Sequence, residues 1–331
     1  MKVLVTGGAG YIGSHMVKYL IKKKCSVTVI DNLSTGYRNA VKNCTFVQGD
    51  LADQQLIEEV LAETHFDAVF HFAAFSQVGE SVVHPLKYFR NNVSNTANLL
   101  HAMEQAKVRY LVYSSSAAVY GEPEGDSISE SDPTSPINPY GRSKLVTENL
   151  IKDCSAASDL KAVCLRYFNA AGADPETELG ECHEPETHLI PLLLQVASGK
   201  QEKITVYGDD YETPDGTCIR DYIHVWDLCE AHWLGLKHII QDSNKIRIYN
   251  LGNGEGFSVY EVIRCSKEVT GQKIKSVLEK RRLGDPVRLV ANASLARKEL
   301  GWRPKHSALE QIIADAWSWE KNNGINTAGN K

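Results

Sequence analysis

VLVTGGAGYIG, residues 3–13, decides how the rest of the chain reads. The apolar run VLVT has the length and texture of a strand, and Gly7, Gly10 and Gly13 follow it directly. A helical pattern, YIGSHMVKYLIK, comes next. A strand that breaks on glycines and resumes as a helix is the sequence form of a phosphate-binding turn. The glycines permit the tight turn, let backbone approach a pyrophosphate and let the helix pack close to the sheet. The free amides and dipole of the helix start favour the anion. The spacing is GxxGxxG, a relative of the usual dinucleotide fingerprint, so the motif needs support from elsewhere.

That support comes at VIDNLS, where a second apolar run ends in Asp31. A carboxylate there accepts hydrogen bonds from ribose hydroxyls and repels a 2′-phosphate, which favours NAD over NADP. Residues 2–6, 26–30, 45–48, 67–72, 109–114 and 161–166 read as strands, with helical stretches between most of them. Several of these runs are almost continuously apolar, as strands covered on both faces must be. The alternation predicts an α/β fold: a doubly wound, Rossmann-like parallel sheet with helices on both sides. Asp50, ending the third strand, is a contact for the adenine end, and HFAAFS after the fourth lets backbone approach the cofactor. His71 reads as a packed core histidine. Asn91 and Asn92 open or lie in a long helix, one of them as a buried amide facing the dinucleotide.

After about residue 170 the texture changes to polar, turn-rich stretches such as ADPETELGECHEPETH and GDDYETPDGT. Helical patterns lie between and beyond them at HLIPLLLQVASG, VWDLCEAHWLGLKHII and LARKELGW. The reading is a cofactor-binding domain over 1–170 and a smaller, loop-rich α/β lobe over 171–331. Residues 224–252, ending in RIYNLG, return to the first sheet.

The bulk properties narrow the function. The 331 residues carry a net charge of -5, which disfavours nucleic acid and anionic membranes as partners. No run approaches the ~18 apolar residues of a membrane span, and the start MKVLVTGG lacks a signal peptide's apolar stretch. The eight cysteines contain no CxxC pair. They read as reduced and packed in a cytosolic protein, and no metal site is expected.

The chemistry concentrates at NPYGRSKL, residues 138–145. Asn138 suits an N-cap and Pro139 the first helical position. Tyr140 then sits in the first turn with Lys144 on the same face one turn on. A nearby ammonium, a helix start and an oxidised nicotinamide all favour a phenolate. Such a group takes a proton from a secondary alcohol while hydride leaves the same carbon. The rival for Lys144 is a plain helix-face pair with Glu148. Serines 114–116 end the fifth strand, where ligand crevices lie in open sheets.

TGGAGYIG, Asp31, Ser116 and Tyr140-xxx-Lys144 resemble the extended short-chain dehydrogenase/reductase family. HFAAFSQVGES, NNVSNT, RYFNAAGA, GDDYETPDGTCIRDYIHVWDL, YNLGNGEGFSV and RRLGDP carry the resemblance to about residue 320, and are similar to the nucleotide-sugar 4-epimerase branch. The resemblance implies that NAD stays bound and UDP-galactose and UDP-glucose interconvert through a 4-keto sugar. It assigns catalysis to Ser116, Tyr140 and Lys144. It assigns NAD contacts to Gly7, Gly10, Tyr11, Ile12, Gly13, the run Asp31, Asn32, Leu33, Ser34, Thr35, Gly36, then Asp50, Leu51, Phe72, Ala73, Ala74, Ser76, Asn91 and Phe168. The UDP-hexose falls to Asn169, His188, Leu189, Thr205, Val206, Tyr207, Arg220, Arg282, Asp285 and Leu289, with the two arginines on the diphosphate.

Three positions depart from some members: Ser76 stands where some carry a lysine, His188 where some carry an asparagine, and Leu289 where members that exclude N-acetylated sugars carry a bulky tyrosine. Leucine is intermediate, so activity on UDP-N-acetylglucosamine is an expectation. A 4,6-dehydratase needs an acid–base pair after the catalytic serine, where this chain has Ala117 and Ala118. A silent NAD-binding scaffold could lose the tyrosine that this chain keeps. The family also implies a homodimer through helices near 84–106 and 139–157.

Overall fold

The computed structural model describes residues 1–282 and 284–323. β1 (Lys2–Thr6) leads into α1 (Tyr11–Lys22), followed by β2 (Ser26–Asp31), β3 (Thr45–Gln48), α2 (Gln54–Glu63) and β4 (Ala68–His71). The next helical stretch is broken into α3 (Val78–Val83), α4 (Pro85–Phe89), a π-helical turn over Arg90–Ser94 and α5 (Asn95–Gln105). β5 (Tyr110–Ser114), α6 (Pro139–Ala157) and β6 (Lys161–Tyr167) complete this first run. The chain then gives β7 (Asn169–Ala171), α7 (Leu189–Ala197), β8 (Ile204–Tyr207), β9 (Ile219–His224), α8 (Val225–Gln241) and β10 (Ile246–Leu251). Last come β11 (Gly256–Ser258), α9 (Val259–Thr270), β12 (Ser276–Glu279), β13 (Arg288–Leu289), α10 (Ser294–Glu299) and α11 (Leu309–Asn323).

The main sheet has seven strands in the order β10-β6-β5-β4-β1-β2-β3, all pairs parallel. Period-2 alternation sorts its side chains to two covered faces. Val3, Val5, Val29, Phe70 and Val112 pack with α1 and α8, while Leu4, Ile30, Val69 and Leu111 pack with α2, α5 and α6. β10 joins the sheet in register Ile246↔Ala162 to Leu251↔Tyr167, so residues after the second lobe has begun close its far edge. The order reverses at β1, whose neighbours are β2 and β4. That switch point, at the carboxyl ends of the strands, is where open α/β sheets bind ligands.

Of the strands in the second lobe, expected as α/β, the sequence reading placed only Thr205–Tyr207. β7, β9, β11 and β13 form one small sheet, and β8 pairs β12 in another. β9 is buried throughout yet reads IRDYIH, with charged residues where a strand pattern wants apolar ones. Burial is tolerable because Asp221 accepts from the amides of Asn253, Gly254 and Ala291 at 2.8–3.0 Å. Ile190, Leu193, Val206, Tyr222, Val262 and Ile312 make the separate core of this lobe.

Candidate active site

The three glycines of the first turn have three different reasons. Gly7 has φ +70°, and a Cβ there would lie 2.5 Å from the Ala73 amide at the end of β4. At Gly13 a Cβ would meet the Gly7 carbonyl oxygen at 2.1 Å, so glycine lets α1 approach its own turn. Around Gly10 the nearest such atom is 3.5 Å away, leaving its outer side open to a ligand. Gly10 also caps α1 with no side-chain acceptor, so no side-chain cap occupies the amides of the first turn. Asp31 is held at the end of β2 by the amides of Ala9 and Leu33, each 2.8 Å from one carboxylate oxygen. Burial pushes its carboxyl up, and both amides pull it down. A carboxylate oxygen accepts two bonds, so both remain able to take a ribose hydroxyl. An open amide cradle followed by a fixed acidic acceptor fits a dinucleotide.

His71 is a structural residue. Its ring bridges Thr6 at 2.6 Å and Thr96 at 2.8 Å, and burial holds its pKa down to about 3. The expectation of one long helix around Asn91 and Asn92 is corrected by the π turn. Asn92 is buried, but it grips the backbone of Phe75 and the Ser143 hydroxyl rather than facing the cavity. Asn91 borders the cavity.

α6 begins as its sequence prescribes: the Asn138 side chain accepts from the Gly141 amide at 2.8 Å, with Pro139 in the first turn. Gly141 has its own reason, since a Cβ there would sit 2.3 Å from the Ala118 carbonyl oxygen. The helix start is thereby pressed onto the turn carrying Ser116, whose hydroxyl acts on the Tyr140 phenol and pulls its pKa down. Lys144 does not pair with Glu148. Its Nζ donates to the Ser114 carbonyl at 2.7 Å, 5.9 Å from the Tyr140 ring centroid. Glu148 is taken instead by Arg166, at 2.9 and 2.6 Å, and by the Ser115 hydroxyl.

The expected low pKa of Tyr140 is not what the protein alone supplies. Burial pushes the phenol up, and the Ser116 bond works against that. Burial also pushes the Lys144 ammonium down to about 7, with Glu148 opposing, so it is a weaker positive neighbour than the spacing suggested.

A cavity of about 1080 Å³ runs from the glycine turn past Tyr140 to the second lobe. All the residues assigned to catalysis, NAD or the UDP-hexose border it except Leu33 and Gly36. Leu33 packs on the main core, and Gly36 lies against Ala9, where a Cβ would be 2.5 Å from backbone. Tyr11 borders the cavity, but its hydroxyl donates to the Gly172 carbonyl at 2.7 Å, tying the glycine turn to the second lobe. On the far wall Arg220 and Asp285 pair at 3.0 Å, and the Arg282 guanidinium stacks 3.9 Å over Tyr207. His188 turns Nδ1 to Glu181, leaving Nε2 as its remaining polar atom.

Sequence reasoning missed Tyr167, which lines the cavity and exchanges a 2.5 Å hydroxyl contact with Ser114. Its position in RYFN at the end of β6 was the available signal. It also missed Glu181 and His183 on the cavity wall. No helix among the described residues is long and apolar enough to cross a membrane.

The chain matches the model of the NAD dependent epimerase/dehydratase family over residues 3–252. It is similar to a UDP-glucose 4-epimerase of Streptomyces lividans, 53% identical over 96% of this chain and 95% of that one. A UDP-glucose 4-epimerase of Halalkalibacterium halodurans is 50% identical over 97% and 96%. Its fold is that of the Bifidobacterium longum UDP-glucose 4-epimerase solved with NAD+ and UDP, at TM-score 0.94 and 40% identity over 98% and 99%. A matched fold, a cofactor cradle and two relatives at half identity converge: the chain belongs to the NAD dependent epimerase/dehydratase family.

Proposed function

We infer that the chain is an NAD-dependent isomerase that inverts C4 of UDP-hexoses, interconverting UDP-galactose and UDP-glucose. The carrying observation is that Tyr140 is packed against Ser116 in the same cavity that receives Gly10, Asp31 and the Arg220–Asp285 wall. Bound NAD supplies reversible hydride transfer and brings a positive charge into the cavity. Tyr140 takes the proton from the 4-hydroxyl as hydride leaves C4, and returns it to the same oxygen when hydride comes back to the opposite face of C4. Ser116 has one hydroxyl proton: it donates to Tyr140 and favours the phenolate before substrate binds, and turns that proton toward the C4 oxygen when the sugar is in place. Lys144, anchored on Ser114, is the partner for a ribose hydroxyl of the cofactor.

Arg220 and Arg282 grip the diphosphate while the sugar turns. Asp285, which holds Arg220, takes the uridine ribose. Asn169, Leu189 and Thr205–Tyr207 line the sugar and nucleotide, and Ser76 replaces a charged cofactor contact with a neutral one. Leu289, which lines the cavity and is smaller than the tyrosine that excludes N-acetylated sugars, supports UDP-N-acetylglucosamine as a second substrate. Residues 1–170 with 224–252 serve the cofactor and the remaining residues serve the substrate. The eight free thiols suit a cytosolic location. The exposed apolar Val82, Val83, Leu86 and Val146 suit a homodimer through the helices around them.

The test is turnover of UDP-galactose without added NAD, in the native chain and in Tyr140→Phe. Losing the acid–base hydroxyl is expected to lower kcat by ~10²–10⁴-fold while NAD remains bound. Near-native turnover in the variant would sink the assignment of the base.

A further inference from the structure

We propose that Glu181, His183, Glu186 and His188 bind a divalent cation of the zinc class on the wall of the cavity. The four offer one ligand atom each, and these atoms all lie within 4.8 Å of one another. Zinc takes imidazole nitrogen and carboxylate oxygen at ~2.0–2.2 Å in a tetrahedron, so a small inward settling brings all four into contact. Both imidazoles present Nδ1 to the same carboxylate oxygen of Glu181, His183 at 3.2 Å and His188 closer still. Their rings stand 5.6 Å apart at 73°.

The competing reading is a set of ion pairs. It brings both imidazoles closest to one Glu181 oxygen, with Glu186 only 3.8 Å from each Nδ1. One central cation is shared by both imidazoles and both carboxylates, with each ring in the neutral form in which imidazole ligates. Glu181 and Glu186 have side chains only 4% exposed, and among the described residues neither pairs with a lysine or arginine. Carboxylates so placed are paired or coordinate a metal. Two other carboxylate groups in the molecule differ on this point. Asp174, Glu176 and Glu178 already surround the Lys18 ammonium at 2.5, 2.8 and 3.0 Å. His224, His306 and Asp315 supply three ligand atoms rather than four.

Four protein ligands close a tetrahedral site, which makes the cation structural. It staples the loop between β7 and α7, which carries His188 and Leu189 to the cavity. His183 also meets the Tyr11 ring edge-on at 6.4 Å, so the staple adjoins the glycine turn. With Nδ1 of His188 on the metal, its proton is fixed on Nε2 as a donor. The sequence reading expected no metal because it searched cysteine pairs. The ligands instead stand in the pattern ExHxxExH.

The test uses the full chain with its NAD, treated with chelator, then dialysed against zinc chloride and analysed for metal by mass spectrometry. The native chain is expected to take up one equivalent. His183→Ala and Glu186→Gln are expected to bind at least about tenfold more weakly, as the loss of even outer-shell support does. Equal uptake by native and variant chains, or no uptake by the native chain, overturns the site. If a variant fails to fold, titration of the native chain with cobalt(II) decides: tetrahedral absorption bands support the site, and their absence overturns it.

Discussion

The two walls of the cavity are built by opposite means. The cofactor wall is held by backbone: Gly7 and Gly13 exist because a methyl group would strike main-chain atoms, and Asp31 is fixed by two amides. The substrate wall is held by side chains on one another: Arg220 on Asp285, Arg282 on Tyr207, His183 and His188 on Glu181. The histidines follow the same division. His15, His71 and His232 are buried in the sheet half beside few acceptors, whereas the wall's imidazoles stand against carboxylates. A wall made of backbone tolerates no change but needs no charge. A wall made of side chains can be retuned one residue at a time.

Acid is the strongest way to separate the two. Burial holds His15 and His232 down to about 4 and His71 to about 3. The unfolded chain binds these protons near pH 6.5 and the folded chain does not, so stability falls as pH drops from about 6.5 toward 4. Each imidazole contributes about 1.4 kcal/mol per pH unit, hence about 4 kcal/mol per unit near pH 5 for the three. Denaturant titrations at pH 7 and pH 5 measure it, and an unchanged midpoint would refute the claim that these rings stay neutral.

Gly7→Ala comes next. It combines a left-handed backbone, costing about 1–2 kcal/mol, with a backbone clash worth about 1–3 kcal/mol. Thermal unfolding should reveal the loss together with reduced NAD content. A variant as stable as the native chain and fully loaded would mean that the turn relaxes more easily than its contacts suggest.

The smallest effect belongs to Arg282→Ala on the other wall. An exposed cation contributes about 0.2–1 kcal/mol, so KM for the UDP-sugar should rise by up to about fivefold with kcat little changed. A collapse of kcat instead would mean that this wall is as rigid as the first.

The same contrast explains what the sequence disclosed. Backbone constraints leave residue types that no substitute satisfies, so TGGAGYIG, Asp31 and Asn138-Pro139 could be read directly, and the sheet followed from its apolar alternation. Side-chain pairings leave no such mark. Nothing in the spacing of Arg220 and Asp285 announces a contact across 65 positions. Glu148 lay at the right distance to pair with Lys144 and went to Arg166 instead. β9 was hidden because its buried charges are satisfied by amides contributed from elsewhere in the chain. The upward push of burial on Tyr140 in the protein alone was hidden for a related reason: spacing gives neighbours, and burial is a property of the whole fold.

The return of β10 to the sheet also has a consequence during synthesis. When β6 leaves the ribosome it is an open edge of buried, apolar backbone. Residues 168–245 must emerge before its partner exists. At ~5–20 residues per second that edge stays unpaired for several seconds. The nascent chain therefore passes through a window in which strand addition from a neighbouring molecule competes with its own completion.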